Sequence, residues 1–386
     1  MSVVDPTALD GIAALRARDS VTWLGLMSGT SLDGIDGAMV EVHERDGAAH
    51  PRLVDGETFP FPRELARDLA TALPTPATTW AEVSEWHARL GDAFAAVARR
   101  YADRVDAIAL SGHTFWHAPD VARRSTLQLG DPARVAAATR RPVVAEFRAS
   151  DVAAGGEGAP LVPVGDQAFF GAGPLPAVVI NLGGISNFTW IDPPHPPVAA
   201  DGGAANLVLN RVIATATDGR EPFDRDGAIA ATGRVHHDLL RAWLDDPFLV
   251  DRGWRSTGRE RYGEAWADAK AETLSRLPLA DRLATLVEWI AVTLERRVRL
   301  FVGERRPERA WVGGGGAYHG PLVAALERAF GVAVEPLDRV RHGVSADLRE
   351  AAAFAVLGHE WLQRRPGSYP TTTGTPVATP LGSLWL

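Results

Sequence analysis

The sequence predicts an α/β protein built as two similar lobes, and three observations predict it. Short apolar runs with strand character alternate with runs of helical period along the chain. A strand–hairpin–strand unit at Trp23–Val42 returns at Pro176–Ile191, about 150 residues later, as a duplicated unit would. A length of 386 residues accommodates two cores. Two such units imply a cleft between the lobes, with one hairpin facing it from each side. The expected boundaries are a first lobe over 1–160, a second over 161–365, and a tail over 366–386 that packs back through Leu381, Leu384 and Trp385.

Composition narrows the chemistry. Hydrophobic residues make up 46% and charged residues 23%, a soluble globular balance. A formal net charge of -8 supplies no basic face for nucleic acid or an anionic membrane. Cysteine is absent, which excludes disulfides and thiolate chemistry and suits a reducing cytoplasm. Residues 1–20 lack the apolar core of a signal peptide, and no run of about 18 apolar residues occurs that could span a membrane. Lys270, in the polar run EAWADAKAETL, is the only lysine. A Walker A loop, a protein-kinase strand and a Schiff base each need a lysine in a different setting. Phosphate chemistry in this chain must therefore use backbone N–H groups, arginine, hydroxyls and a metal.

Taken in order, residues 1–20 read as a short leader helix, and strands over 21–26, 36–43 and 52–59 as an antiparallel meander. Between the first two lies the hairpin Ser28–Gly34. Gly29 and Gly34 allow positive φ and close backbone approach, so N–H groups and the hydroxyls of Thr30 and Ser31 can converge on an anion; an ordinary β-turn is the alternative. Asp33 and Asp36 offer oxygen ligands to a hard cation carried by a nucleotide. A helix over Trp80–Asp103 and a buried strand over Val105–Leu110 follow, the strand opening into a loop at Ser111–His117. His113 and His117 have metal spacing only in a helix, which Gly112 and Thr114 disfavour. His113 and Thr114 are then candidates for hydrogen bonding to a polar substrate, with structural histidines as the alternative. Asp131 and Pro132 read as the N-cap and first position of a helix. A strand over 143–147 feeds a glycine- and proline-rich loop, Arg148–Pro163, in which Arg148 and Asp151 either position a sugar or form a surface ion pair.

The second unit offers Asn181, Gly183, Gly184 and Asn187 in its hairpin. Ala199–Asn206 reads as strand end, glycine turn and helix start. Asp201, placed there before a helix N-terminus, is a catalytic base or an N-cap. The polar loops Phe223–Gly227 and Ser256–Glu260 follow, then a helix over Asp281–Gly303 with a core stripe. A strand at Ala310–Val312 enters a glycine run in which Gly314, Gly315 and Gly316 let a base or ribose lie against bare backbone. The spacing is not a dinucleotide fingerprint. A final helix runs over Asp347–Arg365.

The run GLMSGTSLDGID closely resembles the first phosphate hairpin of the anhydro-N-acetylmuramic acid kinases, members of the actin, hexokinase and Hsp70-like ATPase superfamily. The likeness continues in order through RASDVAAGGEGAPLVP, INLGGISN, the Asp201 turn, FDRDGA, STGRERY, GGGGAY and PLGSLW. It implies two ribonuclease-H-like lobes, the actin-like ATPase fold around a central cleft. It implies ATP phosphates and Mg2+ at Gly29–Asp36, Asp201 as general base, Gly314–Gly316 toward the nucleoside and Glu350 near the sugar. The implied reaction opens 1,6-anhydro-N-acetylmuramic acid with water and phosphorylates its O6, in cytoplasmic cell-wall sugar recycling. The partners are small molecules, with no nucleic acid or membrane and with a homodimer left open. The chain departs from the family pattern at Leu110–Thr114, where Ser-His-Gly-Gln-Thr is expected, and at Glu146 for Asp and Ala204-Ala205 for Pro-Gly. Asn210 and His319 replace an expected Asp and Asn. These departures leave two alternatives: a kinase for another anhydrohexose such as levoglucosan, or a non-catalytic nucleotide or sugar sensor.

Overall fold

The computed structural model describes residues 6–29, 32–71, 78–119, 123–252, 257, 259–339 and 344–386. Its contacts separate two compact units, Met1–Ala172 with Arg341–Leu386, and Gly173–Val340. In the first unit β1 (Ser20–Ser28), β2 (Ile35–Arg45) and β3 (Ala48–Phe59) are followed by β4 (Ala107–Ala118), β5 (Ser125–Leu129) and β6 (Val143–Ala145). The second holds β7 (Ala177–Leu182), β8 (Ile185–Ile191), β9 (Val198–Ala204), β10 (Arg309–Gly313) and β11 (Val334–Pro336), and β12 (Ser383–Trp385) returns to the first.

The first sheet has the order β12-β6-β4-β1-β2-β3, with β5 paired to β4. β1, β2 and β3 pair antiparallel, while β4 joins β1, and β6 joins β4, in parallel. The second sheet, β11-β10-β7-β8-β9, repeats this plan: β7, β8 and β9 are an antiparallel meander, and β10 and β11 add in parallel beside β7. Each unit therefore carries one copy of the expected ribonuclease-H-like topology.

Burial explains the central position of β1, which is covered on both faces. Leu24 and Leu26 enter a core with Leu90 and Phe94 of the helix Trp80–Arg99. That helix starts at Thr79, whose capping box with Glu82 satisfies free N–H groups of its first turn. Gly25 faces the other way, and a Cβ there would sit 1.8 Å from the carbonyl oxygen of Ala351, so the helix Arg349–Leu362 lies directly on the strand backbone. In the second unit Leu283, Leu286, Trp289, Ile290 and Leu294 of the helix Leu279–Val302 pack with Val178, Ile180, Phe188 and Trp190.

The structure divides the chain differently from the expected boundaries. Residues 161–172 and the helix Arg349–Leu362 belong to the first unit. Gly165 of the helix Val162–Phe170 abuts Ala353, and Arg349 forms a two-point ion pair with Asp166 at 2.7 and 2.5 Å. A small-residue helix contact and a buried ion pair leave no pattern in local sequence. Two expected loops are also regular structure. β4 continues through Ser111–His117, with Gly112 at φ 74° and a register shift against β5 between Thr114 and Trp116. Phe147–Ala153 is helical, entered through Glu146 at φ 64°. The tail docks through buried Leu381 and the pairing of β12 with β6, while Trp385 stays 37% exposed.

Acid should weaken this fold. His113, His319 and His359 are buried, and burial lowers the pKa of each. The unfolded chain then takes up protons first as pH falls below roughly 6.5. Burial opposes ionisation of Glu44, but hydrogen bonds from Arg365 and His359 outweigh it and hold the carboxyl below its ordinary range. That contribution is present above the unfolded value of roughly 4.3 and is lost as pH falls further. The melting temperature should fall steadily from pH 7 to pH 5; an unchanged value would contradict the buried neutral histidines.

Candidate active site

The first hairpin region forms a pocket lined in part by Gly29, Asp33, Asp36, Thr58, Asp347 and Glu350. Gly34 is required by the backbone, since it lies at φ 156° and a Cβ would meet the Phe59 carbonyl oxygen at 2.3 Å. Thr58 donates to Asp36 Oδ1 at 2.6 Å. Burial raises the Asp36 pKa; that hydrogen bond opposes the rise, and the charges of Glu350, Asp347 and Asp33 reinforce it. Thr30 and Ser31 lie outside the described residues. Thr58 and Asp347 did not emerge from the sequence. Strand register could have found Thr58, which is the cross-strand partner of Asp36.

His113 comes to this hairpin because β1 and β4 run parallel and pair Ser28 with His113. Ser28 Oγ and His113 Nδ1 lie 3.2 Å apart and both side chains are buried. Thr114 accepts from Gln128 at 3.4 Å. Arg148 donates to the Gly158 carbonyl at 3.0 Å, has a buried Nε without a partner, and sits 5.9 Å from the Phe354 ring centre. Asp151 is not open to a sugar. It is fully buried, and its carboxylate accepts from the Gly158 N–H at 2.7 Å and from the Thr373 hydroxyl at 2.8 Å, which clasps the glycine-rich loop to the tail.

In the second unit, Gly183 and Gly184 connect β7 to β8, and their carbonyls accept the N–H groups of Asn206 and of Ala205 and Leu207. The Asn206 side chain also donates to the Leu182 carbonyl at 2.8 Å. Gly314 lies at φ 77°, where a Cβ would be 2.7 Å from Asn181 Oδ1, and a Cβ on Gly316 would be 2.6 Å from the Leu182 side chain. Hairpin, helix start and glycine run are thus one packed cluster. Asp201 differs from expectation. It lies within β9 opposite Asn187, and the helix begins only at Asn206, its first amides taken by the hairpin. Its Oδ2 accepts from the Thr257 N–H at 2.7 Å and its carbonyl accepts from the buried Arg297 at 3.2 Å. Of the loop around Thr257, Ser256 and Gly258 lie outside the described residues. Asp224 of the Phe223–Gly227 loop accepts from the N–H groups of Ile229 and Ala230, each at 2.9 Å.

Gly183 and Gly184 do not adopt positive φ. A Cβ on Gly184 would find Leu207 at an ordinary 3.6 Å. If this hairpin holds ATP phosphates, as the resemblance implies, Gly184→Ala should keep the fold while weakening ATP binding by about tenfold, roughly 1.4 kcal/mol, measured by calorimetry. Unchanged affinity would move the phosphates elsewhere.

The Lys270 ammonium lies 4.7 Å from the Trp243 ring centre and 5.4 Å from that of Trp266. Among the described residues, no group of three or more His, Asp or Glu side chains is arranged to hold a metal ion, and no helix is long and apolar enough to cross a membrane.

Two ribonuclease-H-like sheets, each with a polar hairpin between its first two strands, define an α/β protein of the actin-like ATPase type. The chain belongs to the anhydro-N-acetylmuramic acid kinase family, whose sequence profile matches residues 21–386. It is 39% identical to an anhydro-N-acetylmuramic acid kinase of Gloeobacter violaceus, over 95% of this chain and 99% of the relative. Proteins of the same name from Salinibacter ruber and Xanthomonas oryzae are 37% and 39% identical, covering 97% and 96% of this chain and 99% of each relative.

Proposed function

We propose that this chain uses ATP to phosphorylate 1,6-anhydro-N-acetylmuramic acid at O6, opening the anhydro ring with water, as a cytoplasmic step of cell-wall sugar recycling. Full-length family membership carries this reading, supported by the two hairpin-bearing sheets. The hairpin residues Gly29, Gly34, Asn181, Gly183, Gly184 and Asn187 are the phosphate anchors, and Gly314–Gly316 the nucleoside contact. His113, Thr114, Arg148 and Glu350 are the sugar contacts; Asp151 acts through the loop it clasps.

Magnesium suits the first hairpin. Burial, and after it the charges of Glu350, Asp347 and Asp33, raise the Asp36 pKa, and a cation would offset those charges. Magnesium commonly takes one or two protein carboxylates, with its other ligands from nucleotide phosphates and water. Asp33 and Asp36 are the residues to hold it, and it would neutralise charge on the transferring phosphoryl group. Asp201 takes the proton from water as the water oxygen bonds to C1. The C1–O6 bond breaks, O6 bonds to the γ-phosphorus, and the bond from that phosphorus to ADP breaks.

ADP release measured with 1,6-anhydro-N-acetylmuramic acid tests the assignment. Turnover with this sugar well above that with levoglucosan supports it, and ATP binding without turnover on any anhydro sugar overturns it. Sedimentation during turnover distinguishes a monomer from a homodimer.

A further inference from the structure

Thr372 and Thr373 of the tail are buried although the segment around them is mostly polar and turn-forming. Buried hydroxyls need partners. Thr372 finds its own within the tail, donating to the Tyr369 carbonyl and accepting from the Tyr369 N–H, each at 3.1 Å. Thr373 instead reaches the glycine-rich loop Arg148–Pro163. Its hydroxyl donates to Asp151 Oδ1 at 2.8 Å, and its carbonyl accepts the Glu157 N–H at 2.9 Å. Asp151 Oδ2 accepts the Gly158 N–H at 2.7 Å, and the Gly158 carbonyl accepts from Arg148 Nη1 at 3.0 Å. A continuous hydrogen-bonded path thus runs from the Thr373 hydroxyl to the Arg148 guanidinium. Gly156 lets the loop fold over this path, since a Cβ there would meet Asp151 Oδ2 at 2.2 Å. Among the described residues the bond to Gly158 is the only hydrogen bond of the Arg148 guanidinium, whose Nε is buried without a partner. Its orientation therefore follows the Gly158 carbonyl, and that carbonyl follows Asp151.

We propose that Thr373 is a positioning residue for sugar binding: through Asp151, 222 positions away in sequence, and Gly158 it fixes the direction of the Arg148 guanidinium. A fully buried carboxylate is costly to leave short of donors. Without the Thr373 hydroxyl, Asp151 Oδ1 turns toward another donor, the loop shifts, and Arg148 moves with it. The tail thereby sets the geometry of a sugar contact that it does not itself make. The proposal rests on Arg148 as a sugar contact in the kinase reading, so its tests separate the clasp, the sugar and turnover.

Thr373→Val keeps the side-chain shape and removes the hydroxyl, whereas Thr373→Ser retains it. In the valine variant the Gly158 amide should exchange its hydrogen faster. KM for 1,6-anhydro-N-acetylmuramic acid should rise on the order of tenfold, the scale of one hydrogen bond to a charged group, with KM for ATP unchanged. Calorimetric affinity for the sugar should fall by the same factor, and the serine variant should restore both. Thr372→Val loosens the same tail off the path and should leave sugar KM unchanged. An unaltered sugar KM in folded Thr373→Val, an equal loss of ATP and sugar binding, or the same effect from Thr372→Val would overturn the proposal. Sugar binding that depends on Thr373 in a protein without turnover would support the positioning role and sink the kinase reading instead.

Discussion

Replacing Asp201 with asparagine should abolish ring opening and sugar phosphorylation together, by on the order of a hundred- to ten-thousand-fold. The two losses coincide because the 1,6-anhydro bridge leaves no free hydroxyl at C6. Phosphoryl transfer to O6 cannot proceed unless C1–O6 breaks, and a base that activates water for C1 drives both. Asparagine is close in shape and can still accept from the Thr257 N–H that meets Asp201 Oδ2, so the fold and ATP binding should change little. A variant that opens the ring without phosphorylating it would separate the events and refute the shared base.

Removing Asp166 should have the largest effect on stability. Arg349 and Asp166 side chains are 7% and 1% exposed. Burial works against the Arg349 charge, and the Asp166 carboxylate outweighs it and holds the guanidinium protonated. Asp166→Ala leaves that charge buried and uncompensated, at a cost of about 3–5 kcal/mol. The cost should appear as a lower denaturant midpoint for the first unit. Asp166→Leu combined with Arg349→Met should recover most of it, because an apolar pair of similar volume avoids the desolvation penalty. A loss below about 1 kcal/mol in the single variant would show the pair to be better solvated than its burial indicates.

Much of the fold was legible because it is written in local periodicity. The apolar runs of β1, β2, β7 and β8, the helical period of the Trp80–Arg99 helix and the core stripe of the Leu279–Val302 helix each reside within one segment. The unit boundary was not legible, because the Arg349–Asp166 pair and the Gly165–Ala353 contact join residues nearly two hundred positions apart. Strand extent failed for a related reason. Gly112 and two histidines suggested a loop, but Gly112 at positive φ and a bulge at Phe115 let β4 continue and pair with β5. In the candidate site, the hairpins were visible as glycine-rich turns between apolar runs. Asp151 was misread because a polar residue in a polar loop looks open, whereas its partners, Gly158 and Thr373, bury it. Thr58 depends on register that no single motif displays.

The most direct test of the account is the fate of oxygen during one turnover in oxygen-18 water. If water attacks C1 while O6 takes the phosphoryl group, label should appear on the C1 hydroxyl and not in the transferred phosphoryl group, in one-to-one proportion with ADP formed. Label in the transferred phosphoryl group, or ADP formed without labelled C1, would contradict the coupled mechanism.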